Sequence, residues 1–239
     1  MKLVQINEIK GKIALKSGLH IGSGDVEMKI GGTDNPVIKH PHTHKPYIPG
    51  SSLKGKVRSL LEMRSDLVTT SQGEPVSYNT LKKFEKNDPQ KFKDCQNILT
   101  LFGASGADDP IMEKYALGPT RVSFADCPIS EEWEKKQEGQ FLPLLEVKSE
   151  NTIDRIKGTA KNPRFTERVP AGVQFDFTIT LKKFAEDEDR LEQFLLEGLK
   201  LLEMDAIGGS ASRGYGRIQF VFDNKDLKNR FESIKPLPI

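Results

Sequence analysis

Between Val173 and Phe222 the spacing of apolar residues changes period twice, and this constrains the chain more than any single motif. Val173, Phe175, Phe177, Ile179 and Leu181 alternate with polar residues, the pattern of a strand with one buried face. Over residues 187–204 the apolar positions Leu191, Phe194, Leu195, Leu199 and Leu202 follow the i, i+3, i+4 rule of an amphipathic helix, and the acids at 187–189 suit the positive end of its dipole. Residues 217–222 return to a strand pattern. A strand, a helix and a strand in succession bury their apolar faces by packing the helix on a sheet.

The first half supplies matching pieces. Residues 3–17 read as a strand through Val4, Ile6, Ile9, Ile13 and Leu15. A glycine-rich loop follows over 20–35, then short extended pieces at 36–38 and 46–49. Pro49-Gly50 punctuates the chain, and Ser51 or Ser52 is expected to cap a helix whose apolar stripe is Leu53, Val57, Leu60 and Leu61. Residues 66–120 read as a polar insertion with one helix near 92–102. Residues 121–125 resemble a strand. Residues 144–154 are expected to re-enter the core as a strand, and 155–170 to protrude as a hairpin or loop. The order strand, helix, insertion, strand, strand, helix, strand predicts a single α+β domain over 1–239, with a ferredoxin-like or RRM-type split βαβ core and an inserted lid region over about 66–144.

Composition narrows the setting. Of 239 residues, 36% are hydrophobic and 29% charged, a globular balance. No apolar run approaches the ~18 residues of a membrane span, and the first residues lack the apolar core of a signal peptide. The expected location is the cytoplasm, with no membrane partner and with Cys95 and Cys127 as free thiols. The net charge of +2 is unevenly spread. Residues 51–64 and 151–170 are basic, and 206–218 carry two arginines and no acid. Charge alone admits both a basic working face and scattered solvated charge.

Two segments carry candidate chemistry. GGSASRGYGR, residues 208–217, combines four glycines with Ser210, Ser212, Arg213 and Tyr215. Its small residues would let backbone amides near Gly209 approach phosphates, while Tyr215 could stack on a base. A plain helix-to-strand connection with a glycine cap is the other reading. In the second segment, residues 49–58, a helix N-terminus with Ser51 and Ser52 forms an anion site that Lys54 and Arg58 extend; solvated bases on a capped helix are the alternative. His40, His42 and His44 have a chelating pattern, but Pro41 and Pro46 make the segment loop-like and no fourth ligand is evident, so no zinc site is assigned.

GLHIGSG (18–24), IPGSSLKGKVR (48–58), ENTIDR (150–155), NPRFTERVPAG (162–172) and GGSASRGYGRI (208–218) together resemble the RAMP superfamily of CRISPR proteins, and most of all the repeated backbone subunit of the type III-A (Csm) effector complex. The resemblance runs from about residue 15 to 220. It implies binding of a CRISPR guide RNA, stacking of copies into a helical filament beside other subunits of the complex, and cleavage of target RNA paired with the guide, supported by Mg2+ or Mn2+. It implies a thumb hairpin within residues 156–169, where Arg164 is a flanking cation and Phe165 the wedge between bases. It aligns the catalytic, transiently metal-holding aspartate with Asp34; read from its neighbours alone, an aspartate after Gly-Gly-Thr is more often a turn residue. His20 is expected to contact RNA or to pack under the loop. A non-catalytic architectural subunit and a stand-alone guide-processing RAMP endoribonuclease are the alternatives.

Overall fold

The computed structural model describes residues 2–24, 35–104, 114–115, 117–138 and 142–237. Strand β1 (Leu3–Leu15) turns Ile9, Ile13 and Leu15 to one side, where they are buried, and leaves Glu8 and Lys10 exposed on the other. Strands β5 (Gln174–Phe184) and β6 (Ile218–Phe222) alternate in the same way. With β2 (Val122–Phe124) they form an antiparallel sheet in the order β2-β5-β1-β6. Taken in chain order, the four core strands lie 4-1-3-2, the ferredoxin-like arrangement that the split βαβ pattern predicts.

Helix α1 (Gly50–Arg64) connects the first core strand to the second. Its buried Leu53, Val57 and Leu61 join Phe194, Leu195 and Leu199 of the later core helix in one cluster with the inward residues of the sheet. The N-terminus of α1 differs from expectation. The helix begins at Gly50, Pro49 occupies the cap position, and neither Ser51 nor Ser52 caps. The Gly50 amide instead donates to Asp126 Oδ1 at 2.8 Å, so a carboxylate 76 residues away takes the capping role.

The region after α1 is tied to this core. Helix α2 (Tyr78–Phe84) buries Leu81 and Phe84, and α3 (Pro89–Phe102), capped by Asp88 and started by Pro89, buries Ile98, Leu99, Leu101 and Phe102. A short helix, α4 (Glu131–Lys136), precedes the hairpin. Helix α5 (Arg190–Met204) starts three residues later than the acidic run suggests, because Asp187 is drawn away from the helix. Its carboxylate receives Arg121 Nε and Nη2, the latter at 2.7 Å, in an ion pair whose side chains are 1% and 5% exposed. Helix α6 (Lys225–Ser233) follows β6, capped by Asn224, with Phe231 4.7 Å from Phe222, centroid to centroid.

Residues 144–154 do not enter the core sheet. Strand β3 (Glu146–Ile153) pairs with β4 (Ala160–Arg168) alone in a two-stranded hairpin, from Glu146 opposite Arg168 to Ile153 opposite Ala160. No residue of β3 is buried, and its charged Glu146, Lys148 and Glu150 share a face, so it has no stripe with which to join a sheet. The protruding element thus covers residues 146–168, with its turn at 154–159. Among the described residues no helix is long and apolar enough to cross a membrane.

Candidate nucleic-acid interface

The glycine-rich segment leads from α5 to β6 and contains a 3-10 turn, Ala211–Arg213. Its glycines serve backbone packing. A Cβ at Gly216 (φ 73°) would lie 1.8 Å from the Ile207 carbonyl oxygen, and one at Gly208 (φ 81°) would lie 2.4 Å from that of His20. The loop's amides are largely spent on the same contacts. Gly209 donates to the His20 carbonyl at 2.8 Å, Gly216 to that of Gly18 at 2.9 Å, and Arg213 to that of Ser210 at 2.9 Å. The amides of Gly209, Arg213 and Gly216 already have acceptors and so are not available to a phosphate cradle. Exposed side chains remain: Ser212, and Arg213, which also donates to Ser210 Oγ at 2.6 Å.

Tyr215 does not present its ring to solvent. It is 1% exposed, its hydroxyl donates to Glu150 Oε1 at 2.9 Å, and its ring lies between the Lys148 ammonium at 4.7 Å and the Arg168 guanidinium at 5.0 Å. The predicted base-stacking role is therefore corrected to a structural one. Glu150 also meets Arg213 Nε at 3.2 Å and Lys148 Nζ at 3.4 Å. The Tyr215 hydrogen bond first, then Arg213 and Lys148, hold its carboxyl below the ordinary range against the opposing effect of burial. This group ties the hairpin to the glycine-rich loop.

On α1 the four predicted residues separate. Ser51 is exposed, and Ser52 and Lys54 are half-buried. Burial first, then the nearby Arg58, pushes the Lys54 ammonium below its usual pKa, so an arriving phosphate would relieve it. Arg58 belongs to the interior: Nε donates to Glu62 Oε1 at 2.8 Å, Nη1 to the Gly103 carbonyl at 3.0 Å and Nη2 to the Val76 carbonyl at 2.7 Å. Its expected phosphate contact is corrected, because each guanidinium nitrogen is already engaged. Lys56 pairs with Asp205 at 2.7 Å, which links α1 to the residue that ends α5 just before the glycine-rich loop.

On the hairpin, Arg164 is exposed and Phe165 is 46% exposed. Phe165 lies opposite Ser149 within the ladder, whereas the turn carries Ile156, 96% exposed. Asp154 shapes that turn by accepting the amides of Ile156 at 2.9 Å and Lys157 at 3.0 Å and by pairing with Lys161.

The hairpin base has a second attachment. Glu167 accepts the Val37 amide at 2.9 Å through Oε2 and Lys39 Nζ at 3.0 Å through Oε1. Its own amide donates to the Asn35 carbonyl at 3.1 Å, and its carbonyl lies 2.7 Å from His20 Nδ1. His20 is thus half-buried under the glycine-rich loop and hydrogen-bonded to the hairpin, the packing role that was one of its two expectations. Asp34 lies outside the described residues. His40, His42 and His44 are exposed in a turn where His40 Nδ1 lies 3.3 Å from the His42 amide. Among the described residues no group of three or more His, Cys, Asp or Glu side chains could hold a metal ion. Both cysteines are buried free thiols, pushed up to about 12 chiefly by burial.

Sequence reading missed the roles of Glu150, Glu167 and Lys39. The first two stood in plain view within ENTIDR and NPRFTERVPAG, but their partners are 65 and about 130 residues away, beyond the reach of local periodicity.

The family model of the RAMP superfamily matches residues 12–219. The chain is 40% identical over 237 residues to the CRISPR system Cms endoribonuclease Csm3 of Methanothermobacter thermautotrophicus, covering 93% of this chain and 84% of that protein. It is 37% identical to the protein of the same name from Streptococcus thermophilus, covering 92% and 93%. Among solved structures it resembles the Csm3-Csm4 subcomplex of the type III-A CRISPR-Cas interference complex (TM-score 0.53, 26% identity, 96% of this chain and 85% of that one). It also resembles Methanopyrus kandleri Csm3 (TM-score 0.55, 26% identity, 91% and 75%).

Proposed function

Because this chain belongs to the RAMP superfamily, we propose that it is a guide-RNA-binding backbone subunit of a type III CRISPR effector complex, and that it cleaves target RNA paired with the guide. The observation that carries this reading is likeness over more than nine-tenths of the chain to two relatives named as endoribonucleases. The proposed partners are guide RNA, target RNA, further copies of this chain and other subunits of the complex.

The geometry supports a division of labour. Lys54, Ser51, Ser52, Ser212 and Arg213 offer the exposed or half-buried polar groups for the guide backbone. The hairpin, fixed at its base and protruding at residues 154–159, suits a wedge between bases. Ile156 takes the wedge role there in place of Phe165, because it stands at the turn. Splaying a base beside the scissile bond frees the ribose for in-line geometry. The 2′-oxygen then forms a bond to phosphorus as the bond from phosphorus to the 5′-oxygen breaks. The products are a 2′,3′-cyclic phosphate and a 5′-hydroxyl, to which the 2′-proton is passed through solvent.

Asp34 is the proposed catalytic carboxylate and holder of Mg2+ or Mn2+. One carboxylate fits such an ion, which keeps most of its waters and takes further oxygens from RNA phosphates. The ion, when bound, would neutralise charge building on the phosphate. The test is the assembled complex with guide and complementary RNA. Asp34→Ala is expected to stop cutting while target binding is retained. Cutting by Asp34→Ala with the wild-type pattern would remove Asp34 from the active site.

A further inference from the structure

We propose that Glu167 is a positioning residue for RNA cleavage, acting by locking residues 35–39 to the base of the hairpin. The proposal rests on the reading of Asp34 given above, since residues 35–39 follow it directly in the chain.

All four polar groups of Glu167 grip this region. One carboxylate oxygen takes the Val37 amide and the other the Lys39 ammonium, its amide meets the Asn35 carbonyl, and its carbonyl meets His20 Nδ1. The side chain is 12% exposed, so these charge-assisted bonds are shielded from water. Three backbone bridges surround them: Asn35 with Thr166, Gly22 with Val37, and Leu19 with Val169. The chain on both sides of residues 25–34 is therefore clipped to the same strand, β4, that forms one arm of the hairpin. A single carboxylate relates the element that would part the RNA bases to the segment that directly follows the proposed catalytic Asp34. Neither Lys39 nor Val37 is among the groups proposed to touch RNA, so losing the clamp would disturb alignment and leave binding intact.

The experiment compares Glu167→Ala, Glu167→Gln and Lys39→Met in the assembled complex, with Asp34→Ala alongside. The expected result for Glu167→Ala is a fall in kcat of roughly ten- to a hundredfold, the scale of an ångström-sized misplacement, with KM for target RNA and guide retention unchanged. Glu167→Gln keeps an acceptor for the Val37 amide and should recover part of the rate, and Lys39→Met should lose less than Glu167→Ala. If Glu167→Ala does not assemble, Glu167→Gln and Lys39→Met decide by the same split between kcat and KM. A wild-type kcat in these variants, or a parallel loss of kcat and target binding, would overturn the proposal. Cutting by Asp34→Ala would instead sink the active-site reading, whatever the Glu167 variants do.

Discussion

The contact between Tyr215 and Glu150 makes a quantitative demand on stability. The hydroxyl is donated to a carboxylate at 2.9 Å by a ring that is 1% exposed. A hydrogen bond to a charged group contributes about 1.5–3 kcal/mol. Glu150 keeps Arg213 and Lys148 as partners and its side chain is 20% exposed, which places this bond near or below the low end of that range. Tyr215→Phe removes the hydroxyl and retains the ring between Lys148 and Arg168, so it should cost about 1–2 kcal/mol. For a chain of this size that corresponds to a Tm lower by about 2–8 °C. Glu150→Ala should cost more, because it buries an unpaired phenol and leaves Arg213 and Lys148 without this carboxylate. Urea unfolding of the wild type, both single variants and the double variant gives the coupling energy, expected at about 1 kcal/mol or more. Coupling within about 0.5 kcal/mol of zero would refute the reasoning. If Tyr215 instead stacked on a base, Tyr215→Phe would leave stability unchanged, and Tyr215→Leu would weaken RNA binding at constant stability.

Two further outcomes follow from charged groups on α1 and on the hairpin. Lys54→Ala should weaken guide binding and reduce its salt slope by about one, whereas Arg58→Ala should lower the urea midpoint and leave the salt slope unchanged; filter binding across a salt series with parallel unfolding separates them. Glu150, whose folded pKa is depressed chiefly by Tyr215, contributes stability that is present above its ordinary value of 4.5 and is lost as pH falls through the lower folded value. Wild type should therefore lose stability more steeply than Glu150→Gln in that acid window, as read by unfolding at fixed pH steps.

The core was legible where burial leaves a local period. Phe175, Phe177 and Ile179 on β5, and Phe194, Leu195 and Leu199 on α5, give the strand-helix succession directly, because each element buries one face. The same logic misassigned residues 144–154. Val147 and Ile153 alternate as core residues would, but both are 56% exposed, and only the neighbouring charges hinted that this strand stands off the sheet. Helix α6 went unread since Phe231 is its one buried residue among charged positions. Arg58 looked like a phosphate ligand because helical spacing places it on the face of Lys54. Its actual partners, Val76 and Gly103, come from chain 18 and 45 residues away. Periodicity reports which face is buried, and it is silent on which polar group waits there.

The hairpin shows why those distant partners matter. A hairpin of two strands, eight and nine residues long, is marginal in water by itself. Stability must be borrowed from the body of the protein. Strand pairing puts Glu150 on one face, with Lys148 and Arg168, and Glu167 on the other, opposite Val147. One carboxylate holds the glycine-rich loop through Tyr215 and Arg213; the other holds Val37 and Lys39, while the Glu167 backbone carbonyl meets His20. The base is thus gripped from both faces, while the turn keeps its shape through Asp154 and its own amides. A lever built this way separates its functions along its length. Changes at Ile156 alter what the tip meets and leave the fold intact, whereas changes at Glu150 or Glu167 alter where the whole hairpin points.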